Sequence, residues 1–267
     1  MRISSLKARM KGGAMINADA FNKKVGKNLS LYYNRFAFAQ MSGGSNDLAD
    51  TLLRTIKRIP KEISFYDRLM KRRDLSVRQF QERNGYSVID FTAKSKSRFL
   101  IYAGCPAPTD VGFHFSRNYG LPVIPGSSIK GAFHHYLADE EYDRTKRSRW
   151  FGVGTGDDDM GGERGSIVFL DGLPVGNVQY ELDIINSHFP DYYGDVPDMP
   201  PNDWYNPIPV RFLAVSKGAT IRFTLLLKDE TRKEKEEIKK QFRLMLEYWG
   251  IGAKTAYGYG RFRPTGT

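Results

Sequence analysis

From Arg98 to the C-terminus, short apolar runs bounded by Gly, Pro or Asp alternate with two helical patterns, and this order limits the folds open to the chain. RFLIYAG, beginning at Arg98, reads as a strand. IPGSSIKGAFHHYLADEE, beginning at Ile124, reads as a tight turn into a helix, with Ser127 or Ser128 as its cap. GSIVFLDGLPV and VQYELDIINSHF supply further strands. IPVRFLAV and ATIRFTLLL flank Ser216-Lys217-Gly218, which predicts a hairpin. The last helix starts at Thr231, where Glu234 completes a capping box, and its apolar stripe of Ile238, Phe242, Met245 and Trp249 ends at Gly250. YGYGRF then gives a final strand. The order is that of an elaborated βαββαβ unit, an α+β, ferredoxin-like arrangement with both helices on one sheet face and the other face free.

Upstream of Arg98 the texture is helical. KNLSLYYNRFAFA forms a short aromatic-rich element, and SGGSND breaks it. A helix capped by Ser45 or Asn46 carries Leu48, Leu52, Ile56 and Ile59 on one face, with Arg54, Lys57 and Arg58 on the others, up to Pro60. A second runs from about Glu62 to Glu82, with Ile63, Tyr66, Leu69 and Met70 on its apolar side. The expected division is therefore a basic, largely helical region over 1–97, packed on a core domain over 98–267.

Charge separates the two regions. The chain carries +11, but residues 1–98 hold +13 and residues 99–267 hold −2. Such an excess favours polyanionic partners, although a well-solvated helical module accounts for it as well. With 40% hydrophobic residues the chain can bury a sizeable core. Its single cysteine, Cys105, cannot form an internal disulfide, and no Cys/His spacing matches a zinc site, so a reducing cytoplasmic setting is expected. The start, MRISSLKARMKGGAM, has the charge of a signal peptide without the apolar stretch that must follow.

Three segments carry candidate chemistry. Gly250-Ile-Gly252-Ala-Lys254-Thr255-Ala-Tyr257-Gly258-Tyr-Gly260-Arg261 lies between a helix and a strand. Glycines let a backbone approach a phosphate, and Lys254 and Arg261 supply charge; a flexible helix-to-strand turn explains the same composition. It is neither a P-loop nor a dinucleotide fingerprint, because Ala253 separates Gly252 from Lys254 and the loop follows a helix. The second segment, Gly126-Ser127-Ser128-Ile-Lys130, opens a helix whose free amides and partial positive charge suit an anion. Capping explains the serines equally well, but not Lys130.

The third segment runs from Asp183 through His188, Tyr192 and Tyr193 and mixes an acid/base group with carboxylates and aromatic platforms. RNA stacking, a subunit contact or structural hydrogen bonding outrank catalysis there, and His134 and His135 are discounted similarly. Asp157-Asp158-Asp159 lacks the spacing of an EF-hand and reads as a solvated loop. No metal, cofactor or catalytic residue is expected.

The pairing of IPGSSIKGAFHHYL with GIGAKTAYGYGRF, together with NLSLYYNRF and DIINSHFPDYYGD, resembles the RAMP superfamily, the repeat-associated proteins of CRISPR effector complexes. The resemblance is weakest over 40–97. It implies a ferredoxin-like, RRM-like RAMP domain with hairpin and loop insertions, and a noncatalytic end subunit of a type III-B (Cmr) effector. Such a subunit would hold the 3′ part of a CRISPR RNA, help position complementary target RNA, and touch backbone subunits and the neighbouring end subunit. Residues implied at the RNA are Gly126, Ser127, Ser128, Lys130, Gly252, Lys254, Thr255, Tyr257, Gly258, Gly260 and Arg261. His188, Tyr192, Tyr193, Arg54 and Arg58 are further RNA or subunit contacts. The RNP aromatic pattern of a standard RRM is missing, which favours tracking of the RNA backbone over base stacking on an open sheet. The competing expectation is a metal-independent endoribonuclease that processes precursor CRISPR RNA through His134, His135 or His188 with a tyrosine.

Overall fold

A computed structural model describes residues 28–36, 45–58, 63–154, 162–187, 200–202 and 206–265. Its centre is an antiparallel sheet. Strands β1 (Ser87–Ser95), β4 (Ile167–Phe169), β8 (Thr220–Leu227) and β9 (Phe262–Thr265) lie in the order β4-β8-β1-β9, and short β5 (Leu173–Pro174) also pairs with β8. Helix α3 (Gly126–Asp139) connects β1 to β4 by way of α4 (Arg144–Phe151) and the short pair β2 (Gly152–Val153) and β3 (Glu163–Arg164), and α5 (Arg232–Leu244, continuing in a wider turn through Trp249) connects β8 to β9. Two βαβ crossovers therefore interleave, with each crossover's two strands separated by a strand of the other. This is the ferredoxin-like topology expected from the element order.

Period-two alternation sorts the residues of the sheet between its two faces. In register, Ile89, Phe91 and Ala93 pair with Leu225, Phe223 and Ile221 and face the helices. There Phe242 of α5 meets Phe91, Phe223 and Phe133 of α3 at centroid distances of 5.3–5.8 Å. The capping box forms as predicted: the Glu234 amide donates to the Thr231 hydroxyl, and the Glu234 carboxylate accepts from the Thr231 amide.

Four sequence expectations change. The sheet begins with β1 at Ser87, inside the region expected to be helical and upstream of residue 98. RFLIYAG is no strand; Phe99, Leu100 and Ile101 are buried in irregular backbone, and only Phe99 bridges, to Val215. The hairpin across Ser216–Gly218 does not form. β7 (Ile208–Val215) instead pairs with β6 (Tyr180–Ser187) in a separate two-stranded ribbon, while β8 enters the main sheet. The chain changes sheets because the end of β1 captures the turn: the Ser95 hydroxyl accepts from the Gly218 and Ala219 amides at 2.9 and 3.0 Å.

The fourth change concerns the sheet face expected to be free, which α2 (Ile63–Asn84) partly covers. Arg222, pointing away from the core helices, pairs with Asp74 at 2.6 Å and with Asp90, and contacts the Met70 sulfur. Tyr66 and Leu69 pack with Leu121, Val123 and Leu173 in a small second core. Helix α1 (Ser45–Arg58) buries Leu48, Leu52 and Ile56 against the β6–β7 ribbon, and Asp50 pairs with Arg211. Tyr32 and Tyr33 of the aromatic-rich element are buried in a helical turn, and the Tyr33 hydroxyl meets Thr109 at 3.0 Å. Among the described residues no helix is long and apolar enough to cross a membrane.

Candidate nucleic-acid interface

The glycine-rich segment is a braced loop laid along the chain that leaves β1. The Gly260 and Ala253 amides donate to the Arg98 and Leu100 carbonyls, both at 2.8 Å, and the Lys96 amide donates to the Arg261 carbonyl at 2.7 Å. The Ile251 amide closes the loop on the Gly260 carbonyl at 2.9 Å. A Cβ on Gly260 would stand 2.0 Å from the Ile251 carbonyl oxygen, and one on Gly252 would stand 2.5 Å from that of Leu100. Both glycines also have positive φ, so the close approach they permit is to their own chain.

The buried RFLIYAG run has its use here. It supplies carbonyls to the loop and a bridge to the ribbon. Arg98 also pairs with Glu181 and Asp183, and the Tyr259 hydroxyl donates to the same Asp183. Burial pushes the Asp183 carboxyl up, but the bonds from Tyr259, the Ile184 amide and Arg98 outweigh it and hold the group below its ordinary value.

The loop's outward side chains differ in availability. Arg261 is half-buried: one Nη donates to the Thr255 carbonyl at 3.4 Å and the other is enclosed, and burial lowers its pKa. It staples the loop. Lys254 takes a left-handed conformation (φ 60°), with its Nζ 5.5 Å from the Phe212 ring centre and 5.8 Å from that of Tyr257. Tyr257 is 83% exposed. Thr255 and Tyr257 form one 3-10 turn, which Gly258 ends.

The helix entry is built differently. Pro125, not a serine, is the N-cap, and no side chain of α3 caps it. The expected cap does not form because the helix starts at Gly126, which places Ser127 and Ser128 inside its first turn; the Gly126 amide donates to the Asp171 carboxylate at 2.8 Å. A Cβ on Gly126 would stand 2.2 Å from the Phe169 carbonyl oxygen, so this glycine too serves internal packing. Arg73 of α2 donates to the Asp171 carbonyl at 2.6 Å. Ser127 and Lys130 are exposed, and Ser128 is half-buried.

No hydrogen bond or ion pair among the described residues joins the two motifs. The C-terminal part of α3 lies near the start of the loop, where Tyr136 and His135 meet Trp249 at 6.0 and 5.7 Å. The entry lies about ten residues back along the helix, roughly 15 Å away at 1.5 Å per residue. Arg54 is more distant in kind. Phe212 and its register partner Asp183 face the loop, whereas Arg211 faces α1, so Arg54 sits beyond the opposite face of the ribbon. The side chain of Arg58, together with His188, Tyr192, Tyr193 and the Asp157–Asp159 run, lies outside the described residues. His134 packs on Phe151, and burial followed by the charges of Arg147, Lys130 and His135 lowers its pKa.

Sequence reasoning missed Phe212, Asp183 as a brace for Tyr259, and Asp171. The alternation through β6 and β7 held a signal for the first two. Asp171 had none, because its role depends on the sheet bringing residue 171 to residue 126.

A chain in the cryo-EM structure of the type III-B Cmr-beta complex bound to cognate target RNA shares this fold, with a TM-score of 0.64 at 19% identity over 92% of this chain and 94% of that one. The Cmr6 subunit of the Pyrococcus furiosus CRISPR system is 29% identical over 234 residues, covering 67% of this chain and 68% of the relative. The crystal structure of that organism's Cmr6 aligns at 26% identity and a TM-score of 0.42, covering 69% of this chain and all of that one. The family model for the RAMP superfamily matches residues 92–263, from the middle of β1 into β9 and through both motifs. With that span covering the sheet, its two crossover helices and the braced loop, the chain belongs to the RAMP superfamily.

Proposed function

We propose that this chain is a noncatalytic RNA-binding end subunit of a type III-B CRISPR (Cmr) effector, holding the 3′ part of the CRISPR RNA and helping to position target RNA. The observation that carries this reading is the likeness to a Cmr6 subunit over two thirds of both chains. Its partners are then the CRISPR RNA, the complementary target RNA, and the backbone and neighbouring end subunits.

The geometry supports contact through a prebuilt surface. The loop is fixed by main-chain bonds before any ligand arrives, so little conformational entropy is lost on binding. Its rim offers Lys254, Thr255 and Tyr257, and Ser127 and Lys130 add exposed polar groups at the helix entry. Phosphate contacts of this kind bind with weak sequence preference and steep salt dependence.

A pull-down of tagged protein from native extract, with mass spectrometry and RNA sequencing, tests the reading. Recovery of Cmr subunits with mature CRISPR RNA is expected. Recovery of unprocessed precursor alone, with defined cleavage of repeat RNA in EDTA that His→Ala substitution abolishes, overturns the noncatalytic assignment.

A further inference from the structure

The outer surface of the loop carries a layered stack. Phe212 lies at its base, 1% exposed; the Lys254 ammonium sits over that ring and also over the Tyr257 ring; and Tyr257 forms the outermost layer. Both cation-to-centroid distances fall within the ~6 Å over which a ring quadrupole attracts a cation. The backbone beneath it is fixed: the Tyr257 amide donates to the Lys254 carbonyl at 3.0 Å and the Gly258 amide to the Thr255 carbonyl at 2.9 Å, closing the 3-10 turn.

Two consequences follow for recognition. The ammonium of Lys254 is engaged by two rings, so its charge is shared with an aromatic surface before any phosphate contact forms. And the loop presents to solvent a flat, oriented aromatic ring, the most exposed of the large hydrophobic side chains described, on a protein carrying +11. An aromatic ring beside a cation on a braced backbone matches single-stranded nucleic acid, whose bases offer π faces and whose backbone is anionic.

We propose that Tyr257 is a stacking platform for a nucleobase of single-stranded RNA, with Lys254 and Phe212 as its support. This inference rests on the RNA-binding reading above and adds to it base stacking on the loop, away from the sheet face. Stacking of this type tolerates any base, which suits a subunit that holds RNAs of varied sequence.

The test measures binding of the full chain, by fluorescence anisotropy across a salt series, to two RNAs of equal length, one normal and one with an abasic tract. Tyr257→Ala is expected to weaken binding to the normal RNA roughly tenfold. Its affinity for the abasic RNA should stay within about twofold of wild type, with an unchanged salt slope, and Tyr257→Phe should restore tight binding. A thermal melt of each variant confirms folding, as expected for a change at an exposed side chain. Equal affinity of wild type and Tyr257→Ala for normal RNA, or equal losses on both RNAs, overturns the stack while leaving the RNA-binding reading in place. Failure of wild type to bind either RNA overturns both readings. Loss of partner subunits from the pull-down by Tyr257→Ala, with RNA affinity intact, overturns the stack in favour of a protein contact.

Discussion

The helix entry at Gly126–Lys130 and the loop at Gly250–Arg261 share ingredients, glycine with small polar residues and a lysine, yet the fold completes them in opposite ways. At the entry, the first free amide is already satisfied by the Asp171 carboxylate, so an internal anion occupies the place an incoming phosphate would take. In the loop, the main chain is satisfied by the carbonyls of residues 98 and 100, and the side chains point outward as an unfinished stack. Gly126 at the entry and Gly252 and Gly260 in the loop serve close packing of the chain on itself. What distinguishes a candidate binding surface is the groups left over once that packing is complete.

The sharpest way to break this comparison is through the glycines. Gly260→Ala places a Cβ against the Ile251 carbonyl and strains a positive φ, with an expected loss of about 3 kcal/mol. In a thermal melt this is a drop of roughly 6–12 °C. Gly258→Ala is the internal control. It shares the positive φ but meets nothing within 4 Å, so it should cost only about 1 kcal/mol. Equal effects from the two would show that strain, and not close approach, sets the loop's demand for glycine.

A smaller effect is expected from Asp171→Asn, which removes the internal anion but keeps a hydrogen-bond acceptor for the Gly126 amide. Stability should fall by about 1 kcal/mol by denaturant titration, and RNA affinity should stay within about twofold. A gain of tenfold or more in RNA affinity would mean that the entry is an anion site held shut by its own carboxylate, and the contrast with the loop would fail.

The smallest effect belongs to acid. Because Asp183 has a folded pKa below its ordinary 3.8, its contribution is fully present above that value and is lost as pH falls below it. As pH falls below 3.8, wild type should therefore lose stability faster than Asp183→Asn, as read from melting curves. Parallel curves would show that the carboxylate is not what ties Tyr259 and Arg98 to the ribbon.

The helices were legible because their signals are local. The stripe Ile238, Phe242 and Met245 is buried on the core, and Thr231 with Glu234 makes the capping box. β1 was equally legible in principle: Ile89, Phe91 and Ala93 alternate with Asp90, Thr92 and Lys94, a period-two pattern hidden by the polar residues around it. The false hairpin shows where local information ends. Ser216–Gly218 does turn the chain, but β7 and β8 find partners far away in sequence, and the Ser95 hydroxyl decides between them. For the site, composition names glycines and cations but not what surrounds them. It could not say that Lys254 would rest on Phe212, which depends on the ribbon's register, or that Arg261 would turn toward the Thr255 carbonyl, which depends on how the loop closes.

The ribbon and the glycine-rich loop, two otherwise separate parts of the molecule, both depend on residues 95–100. Their backbone groups bond the turn at 218–219, the end of the ribbon at Val215, and the loop at Ala253, Gly260 and Arg261. This six-residue stretch, running from the last residue of β1 into irregular backbone, is thus a shared anchor. Opening it would release the loop and the ribbon together, so their amides should exchange with solvent as one cooperative unit, and whatever steadies the loop should also quiet the ribbon.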